Sequence, residues 1–179
     1  MKTKLALFLP IALGVSASFL AAQSKVTKDT VAGIQNYAHI ETTVACAGAI
    51  TPASVAEIKK MGYSSIINLR EASEPGADID AEKAAADKAG IRFVHVPFNG
   101  NKPTTEAVDQ FLKAIKTAGT EPAFIHCAGG NRAASMWFTK RVLLDKWDTD
   151  RAMAEASDLG FASPTLKTFM MDYVKAHQK

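Results

Sequence analysis

A cysteine and an arginine lie close together in residues 126–132, His-Cys-Ala-Gly-Gly-Asn-Arg. The short apolar run Pro122–Ile125 precedes this segment and a long apolar helical pattern follows it, which predicts a loop between a strand and a helix. The Gly129-Gly130 pair lets successive backbone N–H groups point inward, and a helix N-terminus adds partial positive charge. A thiol ionises easily in such a place, so the pattern predicts a Cys127 thiolate beneath a bound oxyanion.

Each residue of this loop has a predicted role. Cys127 is the predicted nucleophile, and the alternative is a buried structural thiol. Arg132 is predicted to bind the oxyanion and the transition state, because a solvent-facing arginine in the first turn would oppose the helix dipole. Backbone N–H groups are predicted to bind the anion at the remaining loop residues, although a Gly-Gly pair is also common in turns: Ala128, Gly129, Gly130 and Asn131.

Strands and helices alternate along the chain. Strands are predicted over residues 42–47, 64–69, 91–96 and 122–125, and helices over 52–61, 80–89, from 104, 131–146, 149–159 and from 163. The alternation predicts an α/β domain whose central, mostly parallel sheet of four to five strands is flanked by helices. Ligands bind beyond the carboxyl ends of parallel strands, so we expect Cys127, Arg70 and Phe98 at one crevice. Arg70 is predicted either to line that pocket and bind substrate or to pair with the acidic loop after it.

The loop resembles the signature of the cysteine-dependent phosphatases, the protein tyrosine and dual-specificity group, in which five residues separate Cys from Arg and Ser or Thr usually follows. Here only Ala128 to Asn131 separate Cys127 from Arg132, and Ala133 follows. The shorter loop is similar to a bacterial branch, the phosphatase-like domains named after beta-lactamase hydrolase-like proteins or after fusions to NAD kinase. Residues 47–52, 66–70 and 93–97 occur in the order of that branch, so the resemblance covers roughly residues 40–160.

The resemblance implies a dual-specificity-phosphatase-like fold and hydrolysis of phosphomonoesters through a phosphocysteine on Cys127, with no cofactor. It implies that His126 orients the loop and helps to keep the thiolate, the alternative being a core histidine. The substrate is expected to be a phosphorylated small molecule or a phosphoprotein. A sulfurtransferase of rhodanese type and a catalytically silent anion-binding module are the competing hypotheses.

The general acid is not evident from the sequence. The family's acid, where present, is an Asp on a loop near the active site, but residues 98–103 hold no carboxylate. Carboxylates crowd the loop after Arg70, and Asp80 among them is the expected helix cap: Glu71, Glu74, Asp78 and Asp80. Ala133 also lacks the hydroxyl that normally helps the thiolate to leave, and Ser135 lies two residues further on. No His, Cys and Asp cluster has metal-ligand spacing, so we expect no metal.

The chain starts with the basic segment Met1–Lys4, followed by an apolar stretch to Ala22. This predicts a secretory signal peptide over residues 1–24, then a lead-in over 25–40 and one phosphatase-like domain over 41–179. An uncleaved membrane anchor is the alternative; otherwise the mature form should have no span and be periplasmic or secreted. Without residues 1–24 the 21 basic residues fall to 19 against 18 acidic ones, with no basic cluster, which argues against nucleic-acid binding.

Cys46 is the other cysteine. In an exported protein it could form a disulfide with Cys127, which would be an inactive or redox-controlled state. The alternative is a small buried apolar residue on a strand. Sequence leaves this choice and the oligomeric state open.

Overall fold

The computed structural model describes residues 25–178, so the predicted signal peptide, residues 1–24, lies outside the described part of the chain. The strands are β1 Thr27–Val31, β2 Ile34–Ile40, β3 Val44–Ala47, β4 Ser65–Asn68, β5 Arg92–His95 and β6 Ala123–His126. The helices are α1 Val55–Lys60, α2 Ile79–Ala89, α3 Thr105–Lys116, α4 Asn131–Leu143, α5 Thr149–Asp158 and α6 Pro164–His177, with a 3-10 turn at Pro52–Ser54 before α1.

The strands form one sheet in the order β1-β2-β3-β6-β4-β5. The pairs β3–β6, β6–β4 and β4–β5 are parallel, which confirms the predicted mostly parallel α/β sheet. The sheet has six strands rather than four to five, because β1 and β2 add an antiparallel hairpin to β3. This hairpin lies in residues 25–40, for which the sequence predicted a lead-in. The signal was weak because β1 is an edge strand with mostly exposed polar side chains.

Apolar cores lie on both faces of the sheet. On one face Ile67 and Ile125 pack with Phe111 of α3 and Trp137 of α4, and α5 and α6 complete this layer. On the other face Ile66 and Phe124 pack with residues of α1 and α2. This two-sided burial explains why β4 and β6 are continuous buried runs instead of alternating ones. Each fully buried large apolar side chain contributes about 2 kcal/mol, so the cores hold the strand ends in place.

Local capping sets the helix starts. Asp78, and not Asp80 as the sequence suggested, caps α2, because its side chain accepts a hydrogen bond from the Ala81 N–H. Thr104 caps α3 and Ser163 caps α6 through their side-chain oxygens, at the positions where the sequence predicted these helices to begin. No helix within residues 25–178 combines the length and apolarity needed to cross a membrane.

Candidate active site

The carbonyl groups of the loop after β6 accept hydrogen bonds from β2 and from the segment that follows β3. The Ala128 carbonyl accepts from the Ala49 N–H at 3.0 Å, and the Gly129 carbonyl accepts from Asn36 Nδ2 at 3.1 Å. Because the carbonyls point toward the β2–β3 side, the intervening N–H groups point away from it.

The loop N–H groups are largely free of protein acceptors. The Gly130 N–H donates to Cys127 Sγ at 3.1 Å. Within residues 25–178 no hydrogen bond uses the N–H groups of Ala128, Gly129, Asn131 and Arg132. Unpaired backbone donors that converge beside a helix N-terminus favour an anion in the space they face.

Two glycines make this loop conformation possible. Gly130 has φ 97°, a left-handed conformation that strains any residue with a Cβ, and it directly precedes α4. A Cβ at Gly48 would lie 3.0 Å from the Ala128 carbonyl oxygen, so the loop can approach the end of β3 only at a glycine. Gly129 meets neither condition, since its φ is not positive and nothing lies within 4 Å of a Cβ built on it.

Cys127 lies at the bottom of a cavity of about 340 Å³. The residue is only 1% exposed, yet it is one of the residues that line this cavity. The lining comes from four loops and the starts of α4 and α6: Glu71, Glu74, Asn99, Gly100, Asn101, Cys127, Ala128, Gly129, Asn131, Arg132, Ser163 and Leu166. Cys127, Ala128, Gly129, Asn131 and Arg132, five of the predicted site residues, thus line one crevice.

The Arg132 side chain extends across the cavity to the loops after β4 and β5. Its Nη1 donates to the carbonyl groups of Phe98, at 2.7 Å, and Leu69, at 3.2 Å. Its Nη1 and Nη2 also donate to the two carboxylate oxygens of Glu74, at 2.6 and 2.8 Å. The guanidinium is therefore held end-on, and no oxygen of the described residues accepts from its Nε–H or from a second Nη2–H. The Cys127 sulfur also interacts with the guanidinium and contributes to its raised pKa.

Glu74 forms ion pairs with two arginines beside the cavity. Burial alone would raise the pKa of its carboxyl group, but hydrogen bonds from Arg132, the Glu71 N–H and Arg70 outweigh burial and lower this pKa from 4.5 to about 2. Burial likewise opposes the charge on Arg132, and the Glu74 hydrogen bond outweighs it, so the pKa of the guanidinium is raised. Glu74 is therefore a carboxylate at neutral pH and Arg132 a cation.

Arg70 pairs with the acidic loop, the second of the two roles predicted for it. Its Nη1 and Nη2 donate to the carbonyls of Gly76 and Pro75 at 3.0 and 2.6 Å, and its Nε lies 3.4 Å from Glu74 Oε2. Arg70 is 3% exposed and is not among the residues that line the Cys127 cavity. It organises the loop that carries Glu74 to Arg132.

His126 lies on the opposite face of β6 from Cys127. Its ring is fully buried and its Nε2 lies 3.2 Å from Oε2 of Glu82 on α2. The two groups are close but not aligned, since neither ring nitrogen has a hydrogen-bond partner in the described residues. Asn68 Nδ2 donates to the same Glu82 oxygen at 2.7 Å, and Asn68 Oδ1 accepts from the Arg70 N–H. The ring of His126 thus contacts the buried Asn68–Glu82 pair instead of the loop backbone.

Asn131 joins the loop to the turn between α5 and α6. Its Oδ1 accepts from the backbone N–H groups of Ala162 and Ser163 at 3.1 and 3.3 Å. This bond explains why Ser163 also lines the cavity. The Asn131 side chain therefore supports the cavity wall, while its N–H remains available to a ligand.

Cys46 lies in β3 and is fully buried in the core that also contains Cys127. Burial raises the pKa of the Cys46 thiol well above its usual value, and the Cys127 sulfur raises it further. Both cysteines are free thiols in the structure. Cys46 therefore has the surroundings of a small buried apolar residue.

Sequence reasoning missed Glu74 and the contact between Glu71 and Asn99. Asn99 Nδ2 donates to Glu71 Oε2 at 2.8 Å, which connects the loop after β5 to the loop after β4. The available signal was the group of carboxylates after Arg70, since an arginine at a helix N-terminus needs a counterion.

Within residues 25–178 no three His, Cys, Asp or Glu side chains cluster as a metal site would require.

The sequence profile of the family described as "Beta-lactamase hydrolase-like protein, phosphatase-like domain" matches residues 36–143. A beta-lactamase hydrolase-like protein of Xylella fastidiosa strain Temecula1 is 37% identical over 117 residues, covering 60% of this chain and 26% of that protein. One of Agrobacterium fabrum is 35% identical over 101 residues, covering 55% of this chain and 23% of that protein. The chain thus spans about a quarter of the length of these relatives.

Solved structures with a similar fold include phosphatases. The core catalytic domain of the PP-IP phosphatase SIW14 of Saccharomyces cerevisiae has a TM-score of 0.64 at 18% identity and covers 80% of this chain and 88% of its own. Pseudomonas aeruginosa TpbA in complex with pTyr has a TM-score of 0.61 at 19% identity and covers 84% of this chain and 90% of its own. At these identities the likeness is one of fold, and it confirms the predicted dual-specificity-phosphatase-like architecture.

Proposed function

We propose that this chain, which belongs to the beta-lactamase hydrolase-like protein, phosphatase-like domain family, is an exported enzyme that hydrolyses phosphomonoesters through a phosphocysteine on Cys127. The observation that carries the proposal is that the Cys127 sulfur lies beside unpaired backbone N–H groups and the Arg132 guanidinium. Cys127 Sγ lies at the bottom of a cavity that Arg132 and the N-terminus of α4 also line. A dianionic phosphoryl group is the ligand that these donors complement.

The orientation of Arg132 supports this ligand. The end-on pair with Glu74 and the carbonyls of Leu69 and Phe98 hold the guanidinium plane still. The edge formed by Nε–H and the second Nη2–H can then donate two parallel hydrogen bonds to phosphoryl oxygens. A fork positioned before the substrate arrives costs no reorganisation during the reaction.

In the proposed reaction the Cys127 thiolate attacks phosphorus, and the S–P bond forms as the P–O ester bond breaks. Water then attacks the phosphocysteine and releases inorganic phosphate and the thiolate. Ala133 offers no hydroxyl to assist this second step, and the Ser135 hydroxyl is bonded to the Arg132 carbonyl at 2.8 Å. Departure of the thiolate therefore relies on the Gly130 N–H and the helix N-terminus.

The proposed export rests on the basic and apolar pattern of residues 1–24. Expression with the full N-terminus, followed by mass measurement of protein from the periplasm or medium, should give a chain that starts after Ala22 or Ser24. Recovery of an uncleaved chain from the membrane fraction would support the anchor hypothesis in its place.

Trapping of the intermediate tests the proposed reaction. Wild-type protein is mixed with an aryl phosphate and quenched in acid, and mass spectrometry is expected to place phosphate on Cys127. Cys127→Ser should lose turnover and still bind phosphate or vanadate, whereas Cys46→Ser should keep turnover as the matched control. Persulfide on Cys127 after incubation with thiosulfate, with no phosphate release, would favour the sulfurtransferase.

The silent anion-binding module is the second candidate, because the loop after β5 has no carboxylate to protonate a leaving group. Phosphate binding by the wild type without phosphocysteine or phosphate release from any aryl ester would establish this candidate and exclude the enzyme.

A further inference from the structure

We infer that Glu71 is the general acid and base of this site, an inference that rests on the proposed phosphatase function. The sequence offers no carboxylate in the loop after β5, so a proton donor for the leaving group must come from elsewhere. Two carboxylates, Glu71 and Glu74, line the cavity that contains Cys127. The choice between them follows from their contacts.

Glu74 is committed to another task. Both of its oxygens accept hydrogen bonds from Arg132, Oε1 also accepts from the Glu71 N–H, and Arg70 lies beside Oε2. Protonation of Glu74 would break the end-on pair that holds Arg132 for the phosphoryl group. Its role is to position the arginine, and a proton donor must be a different carboxyl group.

Glu71 is held in place but keeps one free oxygen. Its Oε2 accepts from Asn99 Nδ2 at 2.8 Å, and its Oε1 accepts no hydrogen bond from the described residues. Within residues 25–178 its carboxylate makes no ion pair. Asn99 is itself anchored, because its Oδ1 accepts from the N–H groups of Asn101 and Lys102 at 2.9 and 3.0 Å. A carboxyl group with one anchored and one free oxygen can carry a proton to a ligand.

The position of Glu71 in the cavity suits the leaving group. Cys127 is almost fully buried, whereas Glu71 and Asn99 line the same cavity but are half-buried and so more open to solvent. A phosphoryl group on the thiolate directs its ester oxygen away from sulfur, toward the opening, because attack and departure are in line. This is the side on which a donor and, later, an acceptor of a water proton are required.

In the proposed reaction Glu71 transfers one proton in each of two steps. Protonated Glu71 gives its Oε1 proton to the ester oxygen while the S–P bond forms and the P–O bond breaks, which yields the free alcohol and a Glu71 carboxylate. That carboxylate then accepts a proton from the water that attacks phosphorus, and the S–P bond breaks to release phosphate and the Cys127 thiolate. The ionisable groups around Glu71 in the cavity are Glu74 on its own loop, Cys127 on the loop after β6 and Arg132 on α4.

The test compares Glu71→Gln with wild type on aryl phosphates that differ in leaving-group pKa. With phenyl phosphate, a poor leaving group, Glu71→Gln should lower kcat by about 100-fold, and with 2,4-dinitrophenyl phosphate, which needs no proton, by about twofold or less. The alkaline decline of kcat for phenyl phosphate should disappear in the variant. Glu71→Asp should recover part of the rate. Asn99→Ala should lower kcat for phenyl phosphate less than Glu71→Gln does, because the Glu71 carboxyl group remains but is no longer anchored.

Glu106→Gln is the matched control, because Glu106 is an exposed residue of the first turn of α3 and does not line the cavity. It should behave as wild type with every ester. An equal effect of Glu71→Gln on good and poor leaving groups, or an unchanged pH profile, would overturn the role of Glu71 while phosphocysteine on Cys127 still supported the phosphatase. Wild-type protein that released no phosphate from any ester would overturn both proposals.

Discussion

Replacement of Glu74 by Gln isolates the carboxylate that holds Arg132. The substitution keeps the shape of the side chain but removes the charge that accepts from both terminal nitrogens of the guanidinium. Arg132 then stays largely buried, with a side-chain exposure of 12%, and has lost its counterion. Leaving one partner of such a pair uncompensated is destabilising, so Glu74→Gln should lower the free energy of unfolding.

The magnitude follows from the pKa of Glu74. A fall from 4.5 to about 2 corresponds to at most about 3 kcal/mol of stability in the ionised state. Partial solvent exposure screens the pair, so we expect about 2 kcal/mol at pH 7. Because the pKa of Glu74 is depressed in the folded state, this contribution to stability is complete above about pH 4.5. It is lost as the pH falls through about 2. The variant and wild type should therefore converge in stability across that window.

Urea unfolding of both proteins, followed by tryptophan fluorescence, measures the difference at about pH 7, 4 and 3. Buried Trp137 is a suitable reporter, since it is fully enclosed in the core. Asp87→Asn is the control, because Asp87 pairs with Lys83 at 2.7 Å on an exposed face and should cost less than about 0.5 kcal/mol. The reasoning would be refuted if the free energy of unfolding lost in Glu74→Gln did not change with pH, or if it were no larger than the loss in Asp87→Asn.

Three further outcomes are expected. Arg132→Lys should weaken phosphate binding at least about tenfold in calorimetry, because an ammonium cannot reproduce the two-donor edge, and equal affinity would mean that this edge does not contact the anion. Gly130→Ala should lower the free energy of unfolding by about 1–2 kcal/mol because of its φ of 97°, whereas Gly129→Ala, without steric contacts, should be nearly neutral in the same denaturation assay. A substrate with a second phosphate should compete less well than its monophosphate in inhibition assays, since Glu71 and Glu74 line the cavity with one arginine; tighter binding would contradict this.

The predicted parts of the site are those that depend on chain order and local chemistry. Cys127, the loop and Arg132 are contiguous, so their spacing could be read directly, and strand ends in a parallel sheet converge by topology. The predicted helix starts at residues 104 and 163 are likewise local features, and the structure confirms both. Asp80 was a near miss for the same reason, since Asp78 lies only two residues away and satisfies the same rule.

The N-terminal hairpin was not predictable from its own residues. β1 exposes nearly every side chain and gains its strand conformation from pairing with β2, which in turn pairs with β3. Asn36 of β2 then reaches the Gly129 carbonyl, so this hairpin also supports the loop after β6. Such a contact spans 93 residues and leaves no periodic signal in either segment.

From the sequence alone Cys127 could be predicted as the nucleophile and Arg132 as its partner, on a strand-loop-helix unit that brings them together, because backbone geometry and helix polarity act over a few residues. Only the tertiary structure decided what these groups contact. It paired Arg132 with Glu74, placed Arg70 against its own loop, turned His126 toward Glu82 and left Glu71 with one unbonded oxygen. Each of these outcomes depends on which loops meet at the edge of the sheet, and that is a property of packing between distant segments.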